Sequence, residues 1–321
     1  MTRLRLGTRG SQLALYQARA VAALMAERSG FPCEIVVIRT SGDQMADRPL
    51  SEAGGKRLFV KEIEDALLDG SADLAVHSSK DLPAELPPGL EIGAVLPRED
   101  PADVLVRRGA GVSEFQALAR QLGSARIGTG SVRRIAQLRR VLPEARFEPI
   151  RGNLDTRLRK LDRGDYDVIV LAAAGMRRLN LAERISAVIP TDVCVPAPGQ
   201  GVIAIEIRAD DARARAAVAA IDDPDAGVAL RAERALVAGL GGGCQLPIGG
   251  LCRLTHGVLD LMGIVASLDG TQLVRHRQLG PRHTAADLGR DLAEQLLRDG
   301  AAEILADARA EGSRLADPHR P

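Results

Sequence analysis

Aromatic residues are nearly missing from this chain. Tryptophan is absent, and aromatics make up 2% of the 321 residues. Single-stranded nucleic acid is bound on aromatic stacking platforms, so that class of function is disfavoured. A net charge of +1 gives no global field for a polyanion either, and no nucleic-acid partner is expected. Lysine is as scarce: Lys56, Lys61, Lys80 and Lys160 are the only ones, and every other basic chain of this kind is arginine. A compact, titratable ammonium cannot be replaced by a planar permanent charge where its chemistry matters, so the retained lysines mark informative places. Cysteines stand at 33, 194, 244 and 252 without a CxxC pair, which excludes a disulfide framework or zinc ribbon. Cys244, Cys252 and His256 lack a fourth ligand and a standard spacing, so no metal is expected. No apolar run reaches about 18 residues, so no membrane span is expected. The first 30 residues are Arg-rich with no acid before Glu27, like a transit peptide, but they read better as a strand and helix of the fold. Together these features point to a reducing, cytoplasmic setting.

What is present is the pattern of a globular protein, with 45% hydrophobic and 26% charged residues, long enough for two or three domains. Leu4–Leu6 reads as a strand. Leu13, Tyr16, Ala20 and Leu24 share one face of a helix that Gly30 ends. Ile35–Ile38 reads as a buried strand, and residues 40–57 as a long polar loop of the functional kind. A helix over Phe59–Leu68 and a strand over Leu74–Val76 run into His77-Ser78-Ser79-Lys80-Asp81. Residues 97–101 look like a hinge. Beyond it, strands at 126–128, 146–150 and 168–171 alternate with helices from Val132, after Asn153 and over 172–179. Residues 196–201 mark a second crossing before a strand at 202–207. Such alternation predicts an α/β chain with parallel sheets, whose ligands sit beyond the carboxyl ends of the strands. From about residue 219 the pattern changes to a helix (226–239), strands (251–255, 258–266, 272–279) and a long terminal helix (284–308), as in a small α+β domain.

Three segments repeat one device, a strand end and a polar Arg-bearing loop that opens a helix: residues 8–11, 129–134 and 151–157. Helix amino termini attract anions, but arginines in a first turn oppose the dipole. Arg133 and Arg134 therefore call for an anion between them and the helix end. Neither GxxxxGK[ST] nor GxGxxG occurs, so nucleotide is not indicated. Arginine pairs fit carboxylates, and a small polycarboxylate follows. Asp81, at a strand end beside Lys80, has the position of a general acid or of a stabiliser of developing cationic charge, or of a carboxylate that only caps a turn. Cys244 stands in a flexible Gly-rich loop where covalent use is open to it. Cys33 and Cys194 read as packing residues, and His77 as a structural histidine.

The segments TRGSQLAL (8–15), GGKRLFVKE (54–62), HSSKDLP (77–83), PREDPAD (97–103), GTGSVRR (128–134), IRGNLDTRLRKLD (150–162), AAAGMRRL (172–179), PAPGQG (196–201) and GGGCQLPIG (241–249) hold all four lysines. In this order the chain resembles the hydroxymethylbilane synthase (porphobilinogen deaminase) family over nearly its whole length. The resemblance implies two periplasmic-binding-protein-like domains with parallel-rich sheets, plus a small α+β C-terminal domain carrying the cofactor cysteine. The expected division is residues 1–100 with 198–218, residues 101–197, and residues 219–321. It implies a monomer that deaminates four porphobilinogen molecules and joins them head to tail into hydroxymethylbilane. The implied cofactor is dipyrromethane, held by a thioether to Cys244. Asp81 matches the catalytic residue. Lys80, Ser131, Arg133, Arg134 and Arg157 match cofactor-binding groups, and Arg9, Ser11, Arg151, Arg178 and Gln200 match substrate-binding ones. Residues 42–57 match a mobile lid. Gly130, Arg57 and Gly241 depart from the family's usual residues, which touches lid motion and loop packing rather than Asp81 or Cys244. Two other readings stay open. One is a non-catalytic carboxylate-binding two-domain module; the other is a different cysteine enzyme with His256 as its base.

Overall fold

A computed structural model describes residues 3–44, 60–109, 111–243 and 246–316. In a first lobe the chain forms β1 (Leu4–Thr8), α1 (Gln12–Arg28), β2 (Cys33–Val37), the short α2 (Ser41–Gln44), α3 (Lys61–Leu68), β3 (Leu74–Ser78) and β4 (Leu90–Val95). In a second it forms β5 (Asp103–Arg107), α4 (Phe115–Leu122), β6 (Arg126–Gly128), α5 (Val132–Leu138), β7 (Arg146–Glu148), α6 (Leu154–Arg163), β8 (Val168–Ala172), α7 (Ala173–Arg178) and β9 (Ala187–Val188). It then returns to the first lobe with β10 (Ile203–Arg208) and α8 (Ala212–Ala219). A third lobe holds α9 (Pro224–Gly239), β11 (Ile248–Thr255), β12 (Val258–Ala266), β13 (Leu273–Pro281), α10 (Ala285–Leu296) and α11 (Ala302–Ala316).

Local chemistry sets these boundaries. Ser11 caps α1 by accepting from the Ala14 amide, and Gly30 follows the last turn at φ +68°. Asp223 caps α9 through the amides of Asp225 and Ala226, with Pro224 in the first turn, where its missing N–H costs nothing. Central strands such as β8 (Val-Ile-Val-Leu-Ala) are apolar on both faces because helices cover both.

The first sheet has strand order β2-β1-β3-β10-β4 and the second β7-β6-β8-β5-β9. The expected parallel pairing holds for β2-β1-β3 and β7-β6-β8, while β10 and β5 run antiparallel to their neighbours. The reason is connectivity. Each lobe takes in one strand delivered by the chain crossing, and that strand enters from the opposite end. The two crossings are tied together by Leu96 N–H donating to Ile203 O and Glu99 N–H to Gly201 O. A Cβ on Gly201 would stand 2.2 Å from Glu99 O, and its φ is +89°, so this crossing accepts glycine alone.

Several elements went unread in the sequence: β4, β5, β9, α4 and α8. The predicted terminal helix is broken at Asp299–Gly300, where Gly300 takes φ +105°. The predicted helix over Phe59–Leu68 begins at Lys61, and Phe59 lies outside the described residues, as does most of the 40–57 loop and of the 42–57 lid. The third lobe is an antiparallel β11-β12-β13 sheet packed on α9 and α10, around Leu236, Leu261, Leu288, Leu292 and Leu296. It touches both other lobes. Ala226 and Leu230 of α9 share a core with Leu82, Val95 and Ala204, while Leu251, Ile264 and Ala266 share another with Ala136 and Val195. Among the described residues, no helix is long and apolar enough to cross a membrane.

Candidate functional site

The carboxyl ends of the parallel strands in both sheets face one cleft of about 690 Å³, a size suited to a small organic ligand. Its wall gathers Arg9, Ser11, Lys80, Asp81, Ser131, Arg133, Arg134, Arg151, Arg157, Arg178 and Gln200, together with Gly243 of the third lobe. Every expected site residue that the structure describes is thus brought to one place. Cys244 lies outside the described residues; Gly243, which precedes it, lines the cleft.

Arg133 and Arg134 open α5 behind its Ser131 cap and are both buried. The anion that these arginines call for is supplied in part by the protein itself. The fully buried Asp103 carboxylate lies 2.8 Å from Arg133 Nη2 and accepts from Arg134 Nη2 at 2.7 Å and Nε at 3.1 Å. Arg133 also donates to Val195 O, and Arg134 to Val170 O. Burial works against the Asp103 charge, yet Arg133 and Arg134 outweigh it and hold the carboxyl well below the usual range. Two guanidiniums share one carboxylate, so the pair keeps positive charge for the cleft and is held rigidly while doing so.

Gln200 joins the halves of this arrangement. Its amide nitrogen donates to Asp103 Oδ1 (2.9 Å) and Pro101 O (2.7 Å), and its oxygen accepts from Lys80 Nζ (3.3 Å). It reaches the cleft wall with both ends of its amide engaged by protein groups. Burial pushes the Lys80 ammonium down to about 8, against the pull of neighbouring Asp81. Asp81 ends a short 3-10 turn (Ser79–Asp81) that continues β3, so a rigid strand aims it.

Burial also lowers Arg157, to about 10, and Arg134 and Arg151 lower it further while Asp81 alone opposes. Arg157 donates to Gly152 O (2.8 Å). Burial lowers Arg151 and Arg178 too, and Arg178 donates to Gly201 O (2.6 Å). Around Arg157, then, positive charge outweighs negative. Arg9 is engaged by Asp43, donating from Nε at 3.2 Å and from Nη2. Burial works against the Asp43 charge, but Arg9 brings its carboxyl below the usual range.

Sequence reasoning missed Arg39 and Arg234, which also line the cleft. Arg39 follows a strand end as Arg9 does, a signal that was there to use. Arg234 sits on α9, bonded to Ala84 O, and only tertiary packing turns it inward. Also missed was Glu233 of α9, a buried carboxylate gripping Arg98 at 2.7 and 2.8 Å and the amides of Gly199 (2.6 Å) and Cys252 (2.7 Å). It fastens the third lobe to both crossings. His77 is buried 3.0 Å from Glu206, in keeping with a structural histidine. Cys194 is buried against Arg133, and burial pushes its thiol to about 12. Cys252 is likewise pushed to about 12, which removes it as a thiolate. His256 lies exposed in the β11–β12 turn.

A cationic cleft between two sheeted lobes, with a carboxylate on a rigid turn and a glycine loop from a third lobe, makes a site suited to a small anionic ligand. Immunogenic lipoprotein A from Vibrio vulnificus aligns with 72% of this chain and 99% of its own, at a TM-score of 0.43 and 14% identity. Residues 4–216 match the model of the porphobilinogen deaminase dipyrromethane cofactor binding domain, and residues 228–298 that of the porphobilinogen deaminase C-terminal domain. The porphobilinogen deaminase of Syntrophobacter fumaroxidans is 48% identical over 95% of this chain and 97% of its own; that of Moorella thermoacetica is 46% identical over 98% and 99%. The chain belongs to the porphobilinogen deaminase family. It is a transferase of tetrapyrrole biosynthesis that converts porphobilinogen into hydroxymethylbilane, and its first 216 residues hold the cofactor-binding region. These matches carry the catalytic reading over a non-catalytic carboxylate-binding module.

Proposed function

We propose that porphobilinogen loses ammonia and is joined head to tail in this cleft, with Asp81 as the catalytic residue. The observation that carries the reading is the setting of Asp81: a carboxylate held on a rigid turn at the cleft wall, close enough to Arg157 to oppose the lowering that burial, Arg134 and Arg151 impose on it. Departure of ammonia leaves a cationic azafulvene. A fixed carboxylate can hydrogen-bond the leaving ammonium and stabilise the pyrrole cation that replaces it.

The surrounding cations bind the acetate and propionate groups. Lys80, Ser131, Arg133, Arg134 and Arg157 are assigned to the cofactor. Arg9, Ser11, Arg151, Arg178 and Gln200 are assigned to the incoming or growing substrate, and Gln200 also bonds Lys80 and Asp103. The donor set fits dipyrromethane, because its carboxylates would offset the positive charge with which Arg134 and Arg151 lower Arg157. When bound, dipyrromethane supplies the pyrrole carbon to which the first substrate is joined. Its tether is assigned to Cys244 as a thioether, supported by Gly243 at the cleft wall and by the elevated thiols of Cys194 and Cys252.

The proposed division is residues 1–100 with 198–218, residues 101–197, and residues 219–321, supported by the membership of the three sheets. The protein is assigned to the cytoplasm as a monomer without a nucleic-acid partner. Incubation with porphobilinogen tests the reading. About four ammonia molecules are expected for each tetrapyrrole released, and saturable binding with no ammonia would return the chain to the carboxylate-binding module.

A further inference from the structure

The helix that presents Arg133 and Arg134 is held at both ends. At its start, Asp103 clamps the two guanidiniums. At its end, the β12–β13 turn of the third lobe docks on the two residues that follow the helix. Arg139 Nη1 donates to Leu268 O (2.9 Å), and Arg140 Nη1 donates to Gly270 O (2.8 Å) and Thr271 O (3.2 Å). The turn is prefolded for this. Asp269 accepts from the Thr271 amide and both flanking hydroxyls, Ser267 and Thr271, which hold its carboxyl down at about 2. Gly270, at φ +77°, lies so close to α5 that a Cβ would stand 2.9 Å from Ala136 O and 3.0 Å from Arg139 Cβ. Along the same helix face Ala136 packs against Leu251, Ile264 and Ala266 of the third sheet.

We propose that this turn is a positioning device for the known reaction: Gly270 and Arg140 set where α5 rests, and so how far Arg133 and Arg134 stand into the cleft. The third lobe thereby contributes to carboxylate binding from the far end of the helix, without touching the ligand at that point. The proposal rests on the assignment of Arg133 and Arg134 to the cofactor.

A matched pair of glycines makes the test sharp. Gly257, in the β11–β12 turn, has φ +79° and nothing within 4 Å of where a Cβ would be. Gly257→Ala therefore carries the same backbone strain as Gly270→Ala without the collision with α5. Purified full-length variants are compared by thermal midpoint, by intact mass for the fraction carrying cofactor, and by KM and kcat for porphobilinogen. Gly270→Ala is expected to lower the loaded fraction and raise KM roughly threefold to tenfold, the scale of one or two lost hydrogen bonds. Gly257→Ala should share its loss of midpoint and keep normal loading and KM. Arg140→Leu, an exposed change, should reproduce the KM effect, and Arg140→Lys should recover part of it. Equal loading and KM in the two glycine variants would overturn the proposal and leave the turn a plain stability feature. The reading beneath it fails differently: Arg133→Leu would then load fully and keep its KM.

Discussion

Replacing Asp103 with Asn keeps the side chain's shape and removes the one negative charge that two buried arginines share. The carboxylate takes Arg134 on Oδ1, with Gln200 on the same oxygen, and Arg133 on Oδ2 at 2.8 Å. An amide offers one acceptor oxygen and turns an NH2 toward the other guanidinium, so one arginine faces a donor where it had a carboxylate oxygen. Removing one partner of a buried ion pair costs about 3–5 kcal/mol, from a total stability of about 5–15 kcal/mol. At roughly 2 °C per kcal/mol for a chain of this length, the melting midpoint should fall by about 6–10 °C. The pH dependence has a fixed sign. Burial opposes the charge, but Arg133 and Arg134 outweigh it and depress the folded pKa below the unfolded value of about 3.9. The stabilisation is therefore complete above that unfolded value and is lost as pH falls through the folded one. Thermal and urea melts near neutral pH should show the whole deficit, and melts in strong acid little of it. Adding acetate or formate to Asp103→Gly should restore part of the midpoint by refilling the anion position. A midpoint within about 1 °C of the parent near neutrality, with no response to acetate, would refute this account of the arginine pair.

Asp81→Asn should stall turnover by at least about a hundredfold, the usual scale for a lost acid–base group, while leaving the cofactor mass in place; an active variant would remove Asp81 from the mechanism. Arg133→Leu should prevent stable cofactor assembly, seen as an unmodified intact mass. The Lys80 ammonium, lowered to about 8 by burial, keeps its charge below that pH and loses it above. Therefore kcat/KM for porphobilinogen should fall as pH rises through about 8, chiefly through KM, and a flat profile across that range would contradict the role of Lys80.

The parts legible in the sequence were those with local causes. Ser11 and Gly30 bracket α1 because a cap and a left-handed residue are decided within a few positions. The Arg-bearing loops were legible because a first-turn arginine breaks a local rule and demands a reason. What lay hidden was the partner. Asp103 stands about thirty residues from Arg133 in sequence, just past the segment that read as a hinge and on a strand that went unread, and only the antiparallel β5–β8 pairing puts it under α5. Glu233 and Arg234 were hidden because an amphipathic helix pattern does not say which polar residue turns inward. The antiparallel β10 and β5 were hidden for a related reason: alternation of strands and helices reports neighbours in sequence, and a chain crossing delivers a strand from elsewhere. The glycine at 300 fell within an otherwise helical run and cut it in two.

The most direct test of the account is the denatured intact mass of the purified protein, with and without Cys244→Ala. The account predicts an excess equal to two linked pyrrole units on the parent chain and none on the variant. An unmodified parent mass after incubation with porphobilinogen would contradict it, as would an excess that survives the loss of Cys244.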